Sequence, residues 1–154
     1  MMPRILYIVL SLVLALPASA TTWYVRMDGH DGEDGLSWET AQATISLGID
    51  NCRAGDTLLV EAGLYHEGII LKDGIILIGG CTADEPLPRY RGHKAKTILD
   101  GKNLGTRLVS CDADCQLPTR IEDFVLQNAR HGQRGGAAWL RGQGDNAQLC
   151  GSWL

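Results

Sequence analysis

Three aspartates, Asp28, Asp31 and Asp34, each followed by a glycine, are the first residues of this sequence whose type and spacing suggest chemistry. Carboxylate oxygens are the ligands calcium takes, and a turn-rich loop can gather them. Their step of three differs from the every-second-residue ligands and closing glutamate of helix-loop-helix calcium loops. The residues therefore predict a solvated turn, with a weak surface calcium site as the competing reading. A second group is cationic: Arg120, Arg130 and Arg134, with His131 between the last two, would suit an acidic sugar through charge-assisted hydrogen bonds. His30, His66 and His93 are scattered over expected loops without the paired spacing that metal binding or base catalysis needs.

Five cysteines, at 52, 81, 111, 115 and 150, leave one thiol without a partner if the rest pair. Cys111 and Cys115 enclose Asp112 and Asp114 and are spaced for a tight local bridge, with Cys52 and Cys81 as the second pair. Zinc would require two close pairs of ligands, which this spacing does not offer.

The beginning of the chain decides where those cysteines travel. Arg4 precedes an apolar run from Ile5 to Leu16, broken only by Ser11, and then Pro17 and Ala18-Ser19-Ala20. This order of positive, apolar and small residues predicts a signal peptide over 1–20 and a secreted, periplasmic or cell-surface product. The run falls short of the ~20 residues a membrane helix needs, and no later segment is apolar for longer, so no transmembrane span is expected after cleavage. The net charge of −4 and the lack of a basic cluster exclude nucleic acid as a partner.

Position is supplied by short elements. Trp23-Tyr24-Val25 reads as a strand. Ser37 reads as the N-cap of a helix that places Trp38, Ala41, Ile45, Ile49 and Cys52 on one face. Beyond Asp56 the texture changes to strand-length apolar runs at 57–60, 69–71, 75–78, 97–99, 108–109, 121–126 and 137–140, separated by Gly, Asp and Asn. Ile76 and Ile98 are 22 residues apart and Ile98 and Ile121 are 23, a step that predicts stacked repeats of an all-β solenoid. An antiparallel sandwich is the alternative, but Ile75 to Ile78 is apolar throughout, as buried parallel strands are. The amphipathic helix is expected to cover the first repeat.

Trp23-Tyr24-Val25, the Asp/Gly-rich loop, Ser37-Trp38, the run Ala54 to Val60, Gly63-Leu64-Tyr65-His66-Glu67 and Ile75 to Gly80 together resemble the N-terminal portion of pectate-lyase-like β-helix proteins, a group that includes polymorphic outer-membrane adhesins. The resemblance runs from about Thr22 to Leu140. It implies a right-handed parallel β-helix with an N-terminal capping α-helix, C-terminally incomplete: residues 21–56 form the strand, loop and cap, 57–141 the rungs, and 142–154 an atypical tail. That tail is expected to mark a truncated product whose open end favours self-association. The resemblance further implies a non-catalytic module that binds a polysaccharide or cell-surface glycan, with a polysaccharide lyase as the alternative. Lyases of this fold need a base such as Arg or Lys and a cation that neutralises the uronate, and no catalytic motif of the group is matched position for position here.

Overall fold

The computed structural model describes residues 19–83, 96–102, 104, 105, 107–111, 118–129 and the strand at 138–139. Along the chain run β1 (Thr22–Val25), α1 (Ile45–Asn51), β2 (Thr57–Glu61), β3 (Gly63–Tyr65), β4 (Ile69–Leu71), β5 (Ile76–Cys81), β6 (Thr97–Asp100), β7 (Val109–Cys111), β8 (Arg120–Glu122), β9 (Phe124–Gln127) and β10 (Ala138–Trp139). They build three sheets: β1-β2-β5-β8, β3-β6-β9 and β4-β7-β10. Every strand pairing among the described residues is parallel, which overturns the antiparallel sandwich. From β2 onward the chain visits the first, second and third sheets in turn, and completes that circuit three times.

The circuits do not repeat at 22 or 23 residues. Ile98 pairs with Leu64 and Val125 in the second sheet, whereas Ile121 pairs with Leu77 in the first, so the isoleucines that set the expected step do not stack. Partners in the first sheet follow at Thr22, Thr57, Ile76 and Arg120, separated by 35, 19 and 44 residues. The connections absorb the variation while the strands stay short.

Alternation within each strand sends one set of side chains inward. Leu58, Leu77 and Ile121 form a column under the half-buried Trp23; Tyr65, Leu99 and Leu126 form another, and Ile69 and Val109 a third. All belong to one continuous core, where each buried aliphatic side chain contributes about 1.5–3 kcal/mol of burial. The outward residue next door behaves differently: Ile69 is 1% exposed and Ile70 is 62% exposed.

Two expectations about strands are corrected. Residues 63–65, outside every expected strand run, pair with β6 as β3. The single run expected over 121–126 is two strands in different sheets, turned by Asp123 at φ 58°, in the left-handed region. The corner is crowded, since a Cβ on Gly79 would stand 2.7 Å from the Asp123 carbonyl oxygen. Fully buried Thr97 fastens it: its hydroxyl accepts from Gly80 N at 2.7 Å and lies 3.0 Å from the Glu61 carbonyl oxygen, to which it donates.

The helix is also shorter than its apolar stripe suggested. It starts at Ile45, not near Ser37, because residues 35–42 are committed elsewhere. Tyr24 N donates to Gly35 O, Arg26 N donates to Gln42 O, and Gln42 N donates to Tyr24 O. These bonds close the outer edge of β1, which an unbroken helix from Ser37 would leave open. Only the second half of the stripe, Ile45, Ile49 and Cys52, enters the inner core, and Trp38 packs in a separate cluster with Leu59 and Cys81. No helix among the described residues is long and apolar enough to cross a membrane.

Ile69→Ala should destabilise the protein by about 2–5 kcal/mol in urea unfolding, while Ile70→Ala stays within about 0.5 kcal/mol of the parent. Gly48 gives a second contrast, because a Cβ there would meet Leu58 Cδ1 at 2.8 Å and Val25 Cγ2 at 2.9 Å. Gly48→Ala should lower stability in the same assay, although alanine gains up to about 1 kcal/mol in helix propensity.

Candidate functional site

The carboxylates that suggested calcium are spent on protein donors. Asp28 pairs with Arg26, its Oδ1 2.5 Å from Nε, and this bond raises the Arg26 pKa. Asp31 accepts from Ala43 N at 2.8 Å, Thr44 N at 2.9 Å and the Thr44 hydroxyl at 3.1 Å. Asp34 accepts from the Thr40 hydroxyl at 2.6 Å and Leu36 N at 3.0 Å, which together hold its pKa below the usual carboxylate value. Asp28, Asp31 and Asp34 thus point at three different partners. Among the described residues no group of three or more His, Cys, Asp or Glu could hold a metal ion.

Glu67, which sequence reasoning passed over, completes the work Asp31 begins. Thr44 stands at the N-cap of α1 without a side-chain cap of its own. The Glu67 carboxylate accepts instead from Ile45 N at 2.9 Å, Ser46 N at 3.0 Å and the Ser46 hydroxyl at 2.6 Å. The first amide groups of a helix lack partners within it, so a carboxylate from β-strand neighbourhood ties helix to sheet at the point of greatest need.

Cys52 and Cys81 are free, which corrects the expected bridge between them. Cys52 lies in the inner core and Cys81 packs in the other cluster, beside Trp38 and Leu59. Leu59 alternates with the inward Leu58 and Val60, so the two thiols occupy opposite faces of the first sheet. Burial pushes both thiols up to about 12, far from the thiolate form that reacts. Cys111 is disulfide-bonded. The expected partner Cys115 lies outside the described residues, as do Asp112 and Asp114.

Of the expected cationic ligands only Arg120 is described; Arg130, His131 and Arg134 lie outside the described residues. Arg120 sits at the start of β8 and pairs with Glu122, both side chains emerging on the outer face of the first sheet. A guanidinium engaged by a carboxylate on an outer face suits binding through charge-assisted hydrogen bonds.

The densest polar grouping lies where the second sheet ends. Each of its strands finishes on a polar residue: His66 after β3, Asp100 at the end of β6, and Gln127 with Asn128 at the end of β9. Asp100 is buried and serves all of them. Its Oδ1 accepts from Asn128 Nδ2 at 2.7 Å and Lys102 N at 2.9 Å, and its Oδ2 accepts from Gln127 Nε2 at 3.2 Å and stands 3.9 Å from His66 Nδ1. Asn128 reaches Asp100 from a backbone at φ 54°, in the left-handed region. The Asn128 amide, the Lys102 amide, the Gln127 amide and the His66 charge lower the Asp100 pKa against the opposing effect of burial. His66, Gln127 and Asn128 are exposed, so three circuits present one polar column to solvent.

No protein-family model, curated protein or solved structure matches this chain.

Because the folded pKa of Asp100 lies below its ordinary value, its stabilisation is complete above that ordinary value and is lost as pH falls through the folded one. Asp34, Glu39 and Asp56 are lowered too and act in the same direction. The urea midpoint should therefore hold near neutrality and fall below about pH 4. Asp100→Asn should start from a lower midpoint and show a shallower acid slope.

Proposed function

We propose that this chain is the N-terminal segment of a secreted right-handed parallel β-helix that acts as a non-catalytic module binding polysaccharide or a cell-surface glycan. The observation that carries the reading is the circuit through three parallel sheets, repeated with aliphatic columns inside and α1 packed against β1, β2 and β4. Parallel strands joined in one rotational sense favour right-handed connections, and α1 lies where a cover for the first circuit is required. The apolar run from Ile5 to Leu16 supports export.

Stacked circuits leave long outward columns, and a linear polymer is a ligand that fits such columns along its length. The His66, Asp100, Gln127 and Asn128 corner offers amide and imidazole groups to sugar hydroxyls, and the Arg120–Glu122 pair lies on another face. The engagement of Arg120 by Glu122 favours binding over the lyase reading, which needs a base.

The purified secreted chain should shift in affinity electrophoresis through polygalacturonate or alginate, with Gln127→Ala and Asn128→Ala weakening the shift severalfold. No ultraviolet absorbance from unsaturated product should accumulate, with or without added calcium. Steady product formation would establish a lyase instead, and the absence of any shift across acidic and neutral polysaccharides would refute glycan binding.

A further inference from the structure

The sequence contains five Asp-Gly steps, at Asp28, Asp31, Asp34, Asp73 and Asp100. Among aspartyl dipeptides Asp-Gly is the most open to a spontaneous rearrangement, because glycine offers no side chain to shield its backbone nitrogen. That nitrogen attacks the aspartate Cγ, the N–H proton and the carboxyl hydroxyl leave as water, and a five-membered succinimide forms. Water then adds across one of its two carbonyls, restoring aspartate or giving β-linked isoaspartate, with no net change in mass. The attack requires a glycine N–H free of other bonds and a carboxyl group able to swing back toward it.

We propose that the fold protects all five steps by engaging each glycine N–H, and that Asp31-Gly32 is the site where this protection yields first and isoaspartate accumulates. Gly29 N donates to Arg26 O, Gly35 N to Thr40 O, and Gly101 N to Gln127 O. Gly74 N donates to the Thr119 hydroxyl at 2.9 Å, which is itself anchored to the Lys72 carbonyl oxygen. These glycines are buried or half-buried, and Gly29 is wedged where a Cβ would lie 2.5 Å from the carbonyl oxygens of Ala41 and Gln42. Freeing any of them means opening a tight backbone contact or a contact between circuits.

Gly32 differs on each count. It is the exposed one of the five, and its N–H donates at 3.0 Å to Nδ1 of His30, an exposed side chain two residues upstream. Rotation of that imidazole removes the acceptor without disturbing any strand. The second restraint is the Asp31 carboxylate itself, held by Ala43 N, Thr44 N and the Thr44 hydroxyl. Asp31 is exposed, so those bonds open in water at modest cost. Isomerisation would insert a backbone carbon and displace the carboxylate from residues 43 and 44, loosening the approach to α1. The loop would then record the age of the molecule.

The test is to incubate the full chain at neutral pH and physiological temperature, native and in denaturant, and to locate isoaspartate by peptide mapping with electron-based fragmentation. The denatured chain should convert at all five steps at comparable rates. The native chain should convert at Asp31 severalfold faster than at any other step. His30→Ala should accelerate Asp31 severalfold and leave the other four unchanged. Gly32→Ala, at a position outside the left-handed region, should suppress conversion at Asp31, with circular dichroism confirming that both variants fold. Native rates equal to denatured ones, an earlier appearance at another step, or an Asp31 rate indifferent to His30→Ala would each overturn the proposal.

Discussion

The structure depends on one constraint: a strand of two to six residues cannot bury its apolar side alone, so every circuit needs the next one above it. Leu58, Leu77 and Ile121 are dry because they lie on one another, and the same holds for Tyr65, Leu99 and Leu126. Parallel pairing follows from that stacking, since a chain that circles in one sense always returns to each sheet in the same direction. The polar groups then fall into place around the columns. Thr97 serves carbonyl and amide groups of two circuits, and Asp100 serves donors at two successive circuit ends.

At the edge formed by β1, β3 and β4, where no further strand pairs among the described residues, the chain builds a different solution from both backbone and carboxylates. Gly35 and Gln42 supply the missing hydrogen-bond partners of β1, and α1 covers the apolar interior with Ile45, Gly48 and Ile49. The helix brings its own unpaired amides into that junction, and Asp31 and Glu67 answer them from opposite directions along the sequence. Asp56 fixes the far side, accepting from Thr21 N at 2.7 Å, Arg53 N at 2.8 Å and the Trp23 indole at 3.2 Å. These bonds lower its pKa although burial opposes them. One apolar cover therefore requires several carboxylates, each hidden in a stretch of sequence that reads as turn.

The apolar content of the core was legible because it depends on residue type alone: the runs at 57–60, 69–71 and 97–99 all became strands. Their grouping was not. The even distance between Ile76, Ile98 and Ile121 joined residues from two sheets, and parallel stacking was anticipated from a periodicity the circuits do not have. β3 escaped because Gly63, Leu64 and Tyr65 are too few to show alternation, and the division at Asp123 escaped because a left-handed aspartate leaves no mark in composition. The helix start was misplaced for a tertiary reason, the demand of the β1 edge for Gly35 and Gln42. The polar corner had a faint signal, a polar residue directly after each of Tyr65, Leu99 and Leu126, visible only once those three are known to be neighbours.

Among the described residues each strand pairs only with the strand before and after it in its own sheet, and nothing pairs across a skipped circuit. Mechanical load applied along the stack would therefore meet a series of like joints rather than one shared fastening. Under tension such a body yields as a zip does, tooth by tooth, and closes again from whichever circuits stay engaged.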